Sequence, residues 1–363
     1  MSKRIFWAVE ALGVAGDKET LNTISDAKFV PGVQSVGITT NFNLEQIFEL
    51  GQLEIYQDLE EVPDIEITVE KVFDQFLSLY ARCMDPNTGN LRVRNIAKDQ
   101  NNQCDIFFSI NDDGDEAVGD VNPDAVVHCS GMFVSSASFN FATDGYFTES
   151  ITLVGNHKKW TVSPGDTMTG VPTSIAAPAA PVQGLDTGEV KKRQNFYFKE
   201  MPQSLSNLTA LEAAISSASI SVDFGREEMN VLGKRLPYHR YVTFPVEVTC
   251  EIEAYVTNIK KMAAVGLAGG RLDALPNKDN LTEEQIVIAV TDTEAGDIIT
   301  QGGANDLHIF DLGSKNKVQS ITWGGADTGG SNATITYSYR NFNKLDYRYN
   351  GANGTAGLYQ WNP

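Results

Sequence analysis

The sequence is poor in the residues that most protein chemistry requires. It has four cysteines in 363 residues. Cys83, Cys104, Cys129 and Cys250 form no CxxC and no His/Cys cluster at zinc spacing, which excludes the common zinc and thioredoxin-like motifs. They read as reduced, buried thiols in a protein made in the cytosol. The four histidines, His128, His157, His239 and His308, are scattered and make no HExxH-like pair. Basic residues are scarce: 28 Lys and Arg stand against 47 Asp and Glu, a net charge of −19. That balance argues against a grip on nucleic acid through its phosphates. No apolar run approaches 18 residues, so no membrane-spanning helix is expected. The start, MSKRIFWAVEALG, lacks a sustained apolar stretch before a cleavage site, so no signal peptide is expected.

Fragments of catalytic motifs fail on their context. Asp223-Phe224-Gly225 spells the kinase metal triplet, but the glycine-rich loop, strand lysine and HRD loop are missing. Ser109–Asp120 places Asn111, Asp113 and Gly114 near positions 3, 5 and 6 of a calcium loop, yet Ser109 and Asp120 stand where Asp and Glu belong. It reads as a solvated acidic loop, with an incidental divalent site as the alternative. The glycines around 324–330 lack a following GK[ST] and read as a wide hairpin turn. No GxSxG occurs. Adjacent carboxylates such as Glu60-Glu61 and Glu227-Glu228 point apart in a strand or helix and build no acid/base pair. No catalytic constellation and no cofactor site is expected, which moves the reading toward a structural or binding protein.

What is present is alternation. The chain is long enough for two cores. Residues 3–14, 35–42, 53–57, 62–69, 105–110, 124–133, 135–141 and 146–153 read as strands. Thr143-Asp144-Gly145 is a hairpin turn. After Val69, the residues Val72, Phe76, Leu79 and Cys83 fall at helical spacing and predict a helix of three turns. Residues 161–190 are rich in Pro, Ala, Gly, Ser and Thr and read as a linker or arm.

The second half restates the first. SVGITTNFNLEQIFELGQLEIYQDLEEVPDIEITVE, from Ser35, meets SASISVDFGREEMNVLGKRLPYHRYVTFPVEVTCEIE, from Ser217. Ile38 meets Ile220, Phe42 meets Phe224, Leu50-Gly51 meets Leu232-Gly233, Tyr56 meets Tyr238 and Pro63 meets Pro245. After the proline the register shifts by one, and Glu66, Thr68 and Glu70 fall on Glu247, Thr249 and Glu251. Further on, Phe139 meets Trp323 and Ile151 meets Ile335. Tyr255–Leu267 takes the helix slot, Ile286–Val290 is a strand, and 319–339 closes as a hairpin. The expected fold is therefore mainly β: a sandwich or barrel with one flanking helix, present twice in tandem, as residues 1–160 and 191–363 around the 161–190 arm.

At this repeated core the sequence resembles the tail tube proteins of tailed bacteriophages. The shared pattern is a strand opening in Ser-x-Ser/Ile, a short Arg/Glu-rich element, a Leu-Gly turn, an aromatic strand, and a proline followed by an alternating strand. The resemblance implies a non-enzymatic structural virion protein whose rings stack into a hollow tube through which phage DNA is ejected. A chain with two such domains implies a trimeric ring of pseudo-sixfold symmetry, with a hexamer as the alternative. The partners implied are other copies, other tail proteins and passing DNA held without tight binding, with no membrane. Asp64, Glu66, Glu70, Glu247, Glu251 and Glu253 are the candidate lumen-facing acids: they share one strand face and would repel the DNA backbone. Two other readings stand beside this one. One is a virion decoration or adhesion protein that binds glycan or a capsid surface. The other is a metal-dependent enzyme using the 111–120 loop.

Overall fold

A computed structural model describes residues 10–15, 28–84, 92–93, 96, 100–110, 125–162, 190–202, 205, 214–255, 283–291, 306–324 and 332–349. In chain order the first half contains β1 (Glu10–Ala15), β2 (Lys28–Phe29), β3 (Val33–Asn41), β4 (Leu44–Phe48), β5 (Ile55–Glu60) and β6 (Asp64–Val72). Helix α1 (Leu79–Met84), β7 (Arg92–Val93), β8 (Cys104–Ile110), β9 (Ala125–Ala142), β10 (Thr148–Gly155) and β11 (His157–Val162) follow. The second half contains β12 (Phe196–Glu200), β13 (Ala214–Asp223), β14 (Arg226–Met229), β15 (His239–Val242), β16 (Glu247–Tyr255) and β17 (Val287–Thr291). It ends with β18 (Asp306–Asp311), β19 (Lys317–Gly324), β20 (Thr334–Phe342) and β21 (Asp346–Tyr349). Among the described residues no helix is long and apolar enough to cross a membrane.

The protein is a mainly β sandwich. One face is a continuous antiparallel path of eight strands, β19-β20-β16-β13-β9-β10-β6-β3. The opposing layer is β2-β1-β8 with the first part of β9 and β11 in one half, and β12-β17-β18-β21-β7 in the other. Period-two alternation dictates the arrangement. In β6, Ile65, Ile67 and Val69 are buried while Glu66, Thr68 and Glu70 are exposed. In β16, Val248, Cys250, Ile252 and Ala254 turn inward. One apolar cluster runs through both halves, from Leu12 and Ile67 to Phe310 and Tyr347.

The sequence predicts two strands at 124–133 and 135–141, and the structure joins them. β9 pairs with β8 and β11 up to Met132, then with β10 from Phe133 and with β13 from Ser136. A bulge opposite β8 at Ser130 and Gly131, with Gly131 at φ 65°, lies at the changeover and re-aims the strand from one layer into the other. A second bulge, at Ser135, follows within the β10 pairing.

The order β9-β10-β6-β3 recurs as β19-β20-β16-β13. The irregularities recur too. Gln34 is bulged opposite β6 and Ser216, 182 residues on, is bulged opposite β16. Ser135 is bulged opposite β10 and Gln319, 184 residues on, is bulged opposite β20. These registers correct the alignment beyond the prolines. Ser35 lies opposite Glu70 and Ser217 lies opposite Glu253, so Glu70 corresponds to Glu253 and not to Glu251. Likewise Ile151 and Tyr337 occupy matching places, opposite Val69 and Ile252, where the sequence alignment put Ile335.

The three-turn helix is also corrected. β6 runs on to Val72, and only Leu79–Met84 is helical. Asp74 Oδ1 accepts the Phe76 N–H at 2.9 Å and holds a turn where a helix would have begun. Ser78 then caps the helix, its Oγ accepting the Tyr80 N–H at 3.2 Å. The strand expected at 3–9, the acidic loops at 111–120 and 292–305, the arm at 163–189, the helix slot at 256–267 and the turn at 325–331 lie outside the described residues.

A buried polar cluster ties the halves together. Lys71 Nζ lies 2.9 Å from Asp74 and 3.9 Å from Glu149. Glu149 accepts from Ser78 Oγ at 2.5 Å and from the Leu79 N–H at 2.8 Å. From the other half, His308 donates through Nε2 to the Asp74 carbonyl at 3.0 Å, which leaves Nδ1 to accept from the Tyr347 hydroxyl at 2.7 Å. Burial pushes His308 down to about 3 and pushes the Glu149 carboxyl up. His308 is therefore a neutral, structural imidazole.

Candidate functional site

The solvent side of the eight-stranded sheet is built from a narrow set of residues. β3 presents Ser35, Gly37, Thr39 and Asn41, and β10 presents Thr148, Ser150 and Thr152. β9 presents Ser136, Ser138 and Asn140, and β13 presents Ser217, Ser219, Ser221 and Asp223. β20 adds Thr334, Thr336 and Ser338. Between these hydroxyl rows lie the carboxylates of β6 and β16. All six acids singled out in the sequence, Asp64, Glu66, Glu70, Glu247, Glu251 and Glu253, stand on this one face. Sequence reasoning missed Asp223, which pairs across the sheet with Glu247. Its alternation in β13 was the available signal.

The face thus holds seven carboxylates. Against them stand Lys317 and Arg340, opposite each other on β19 and β20 at one margin. Short hydroxyls bind the acids locally: Ser35 donates to Glu70 at 3.5 Å and Ser217 donates to Glu253 at 3.3 Å, the same pair in both halves. Ser221 and Thr249 share a 2.6 Å hydrogen bond. Such a surface offers a polyanion repulsion and water, and no cationic clamp.

At the ends of the strands stand two hairpins, β4–β5 and β14–β15, with matching registers: Leu44 opposite Glu60, and Arg226 opposite Val242. Both tips use a left-handed glycine, Gly51 at φ 94° and Gly233 at φ 82°, as the Leu-Gly turn predicts. Their surroundings differ. The β14–β15 hairpin is seated on the first half. Phe224, at its root, is 0% exposed, and its N–H donates to the bulged Ser135 carbonyl at 2.9 Å. Arg226 lies over the Phe133 ring, 4.8 Å from its centre, and donates to the Val134 and Gln100 carbonyls at 2.5 and 2.8 Å. Burial holds this guanidinium down to about 10. Arg240 pairs with Asp64 at 2.6 Å and with Glu228, and reaches Asn156 at 3.2 Å.

In the β4–β5 hairpin every strand residue is exposed. Phe42, the counterpart of Phe224, is 72% exposed, and Leu44, Phe48, Ile55 and Tyr56 also face solvent. Asn43 ties the hairpin to Val62 and Asp64, and Arg235 of the other hairpin reaches the Glu60 carbonyl at 3.5 Å.

The remaining histidines and cysteines are tied to neighbouring side chains or buried. His128 bonds to Asp105 at 2.9 Å, His157 to Ser130 at 2.9 Å and His239 to Asn101 at 3.2 Å. All four cysteines are buried and free. Burial pushes Cys129 up to about 11 and Cys250 up to about 12, so neither is a nucleophile near neutral pH. Among the described residues no group of three or more His, Cys, Asp or Glu is placed to hold a metal ion. No protein-family model and no curated protein matches the sequence.

Proposed function

We propose that the chain is a structural, non-enzymatic building block of a tube: copies close into rings, the rings stack, and the acidic, hydroxyl-rich sheet face lines a channel through which DNA moves. In this reading it is a tail tube protein of a phage virion, carrying a tandem duplication of one tube domain. The observation that carries the proposal is the face itself: eight contiguous strands, seven carboxylates against two bases, and serine or threonine at most other positions. A wall of this kind excludes a bound polyanion by charge while its hydroxyls keep it wetted. Basic residues would hold DNA by counterion release.

The open ends of the path support ring closure. β3 and β19 each have one paired neighbour in that path, and a long sheet edge left open in a monomer invites pairing with another chain. Eight strands from each of three copies make 24. At a strand spacing of about 4.8 Å and a tilt of about 40° such a wall closes at roughly 50 Å across, enough for a DNA duplex and its hydration. Three copies with two like halves each give six lobes. Stacking is favoured by the hairpin tips, where Leu50, Leu53 and Leu232 are fully exposed.

Negative-stain imaging of concentrated protein tests this reading. Rings or tubes with threefold mass symmetry and six lobes are expected. Discrete monomers at high concentration would overturn it.

A further inference from the structure

The joint inside the chain specifies the joint between chains. Resting on the tube reading, we infer that β3 and the β4–β5 hairpin of one copy dock on the β19 edge of a second copy, in the register that joins β13 to β9 within the chain. Phe42 then takes the seat that Phe224 holds internally.

The register follows from the bulges. β13 residues lie 182 after their β3 counterparts, and β19 residues lie 184 after their β9 counterparts. Internally Ile220 lies opposite Phe139, Ser221 opposite Ser138 and Asp223 opposite Ser136. Carried to the open edges, Ile38 meets Trp323, Thr39 meets Thr322 and Asn41 meets Ser320 of the second copy. The Phe42 N–H then donates to the bulged Gln319 carbonyl, as Phe224 does to Ser135. Burial agrees with this placement. Ile220 and Phe139 are 0% exposed, whereas Trp323 is 44% exposed and Ile38 is half-buried. The apolar side chains on the inward face of both open edges lack the cover that their internal counterparts have.

Charge supplies an independent argument and names the partner as this chain's own second half. From Phe42 to Val62 the first hairpin carries six carboxylates and no Lys or Arg. From Phe224 to Phe244 the second carries two carboxylates and four Lys or Arg. The internal seat offers Asp64 to Arg240. At the open joint the residue that matches Asp64 is Glu247, which lies 3.9 Å from Arg340. The β19 edge itself, from Leu312 to Gly324, holds Lys315 and Lys317 and no carboxylate. Arg226 of the hairpin covers Phe133 of the sandwich internally, and at the open joint Leu44 of the hairpin faces Lys317. Arg240 gives way to Asp58, which approaches the Lys317 and Arg340 pair, where two bases outnumber Glu247. The acidic hairpin is therefore favoured at the β19 edge over the Asp64 seat, which offers a carboxylate alone.

The test is a pair of double variants of the full chain, assembled and then oxidised. Thr39→Cys with Thr322→Cys places thiols in directly opposed positions, within disulfide reach across a strand pair. Asn41→Cys with Thr322→Cys is the same face slipped by two residues. The expected result is a covalent three-chain species on a non-reducing gel from the first variant, and at least a tenfold lower yield from the second. Rings in micrographs that link in the slipped pair, or in neither, overturn this register while leaving the tube reading standing. Absence of any assembly by the unmodified chain overturns both.

Discussion

The two hairpins share a backbone plan and live in opposite circumstances. In both, a phenylalanine at the root precedes a short strand, a Leu-Gly turn and a return strand, and the pairing registers coincide. One root is sealed and the other is open to solvent: Phe224 is 0% exposed and Phe42 is 72% exposed. Nothing in the hairpins' own folding explains the difference. It comes from what lies beside them. β14–β15 has the first half of its own chain to sit on, and β4–β5 has no such seat among the described residues. In the proposed ring the internal seat is the pattern for the joint between copies, and Phe42 supplies the apolar surface that the joint would bury.

The largest effect should come from truncating the two roots. Phe224→Ala removes a fully buried ring and is expected to cost about 3–5 kcal/mol of chain stability, read from denaturant unfolding of the unassembled protein. Phe42→Ala should leave that stability within about 0.5 kcal/mol and abolish ring formation. Equal loss of stability in both would break the comparison. Next, Arg240→Ala, which leaves Asp64 and Glu228 without their shared cation, should cost about 1–3 kcal/mol. Asp58→Ala, its counterpart, should be silent in the unassembled chain. Assembly should report the exchanged charges: Lys317→Glu is expected to raise the concentration needed for rings roughly three- to tenfold, in line with about 1 kcal/mol for an interfacial pair. Asp58→Lys in the same chain should restore it. Sedimentation at low and high salt would read both, with added salt shrinking the difference.

A smaller effect belongs to His308. Its folded pKa, pushed down to about 3, lies below its unfolded value, so between the two the unfolded chain binds the extra proton. Stability is then full above about pH 6.5 and falls as pH drops toward 3, at no more than about 1.4 kcal/mol per pH unit. Glu149, pushed up, works in the opposite direction. His308→Asn should flatten the acid side of a melting-temperature profile. An unchanged profile would remove His308 from the link between halves.

Much of this was legible in the sequence. Alternation in Asp64–Val72 and Glu247–Tyr255 placed all six candidate acids on one face, and Gly51 announced its turn. The alignment after Pro63 and Pro245 slipped by two residues for a physical reason. A strand of period two keeps every side chain on its face when moved by two, so Glu and Thr alternation cannot tell Glu251 from Glu253 as the partner of Glu70. The bulges at Gln34 and Ser216, which fix the register, leave no compositional mark. The helix is shorter than its pattern because Val72, Phe76, Leu79 and Cys83 fit a helical stripe, while Asp74 and Ser78 set local hydrogen bonds that the stripe does not reveal. The seat of Phe224 was invisible because Ser135 and Val134 lie some ninety residues upstream.

In the proposed ring, two like halves in one chain close in threes. Native mass spectrometry of the assembled protein would then show its smallest closed species at three times the 39.6 kDa chain mass, with no dimer accumulating. A monomer alone, or a ladder of open oligomers without a stop at three, would contradict it.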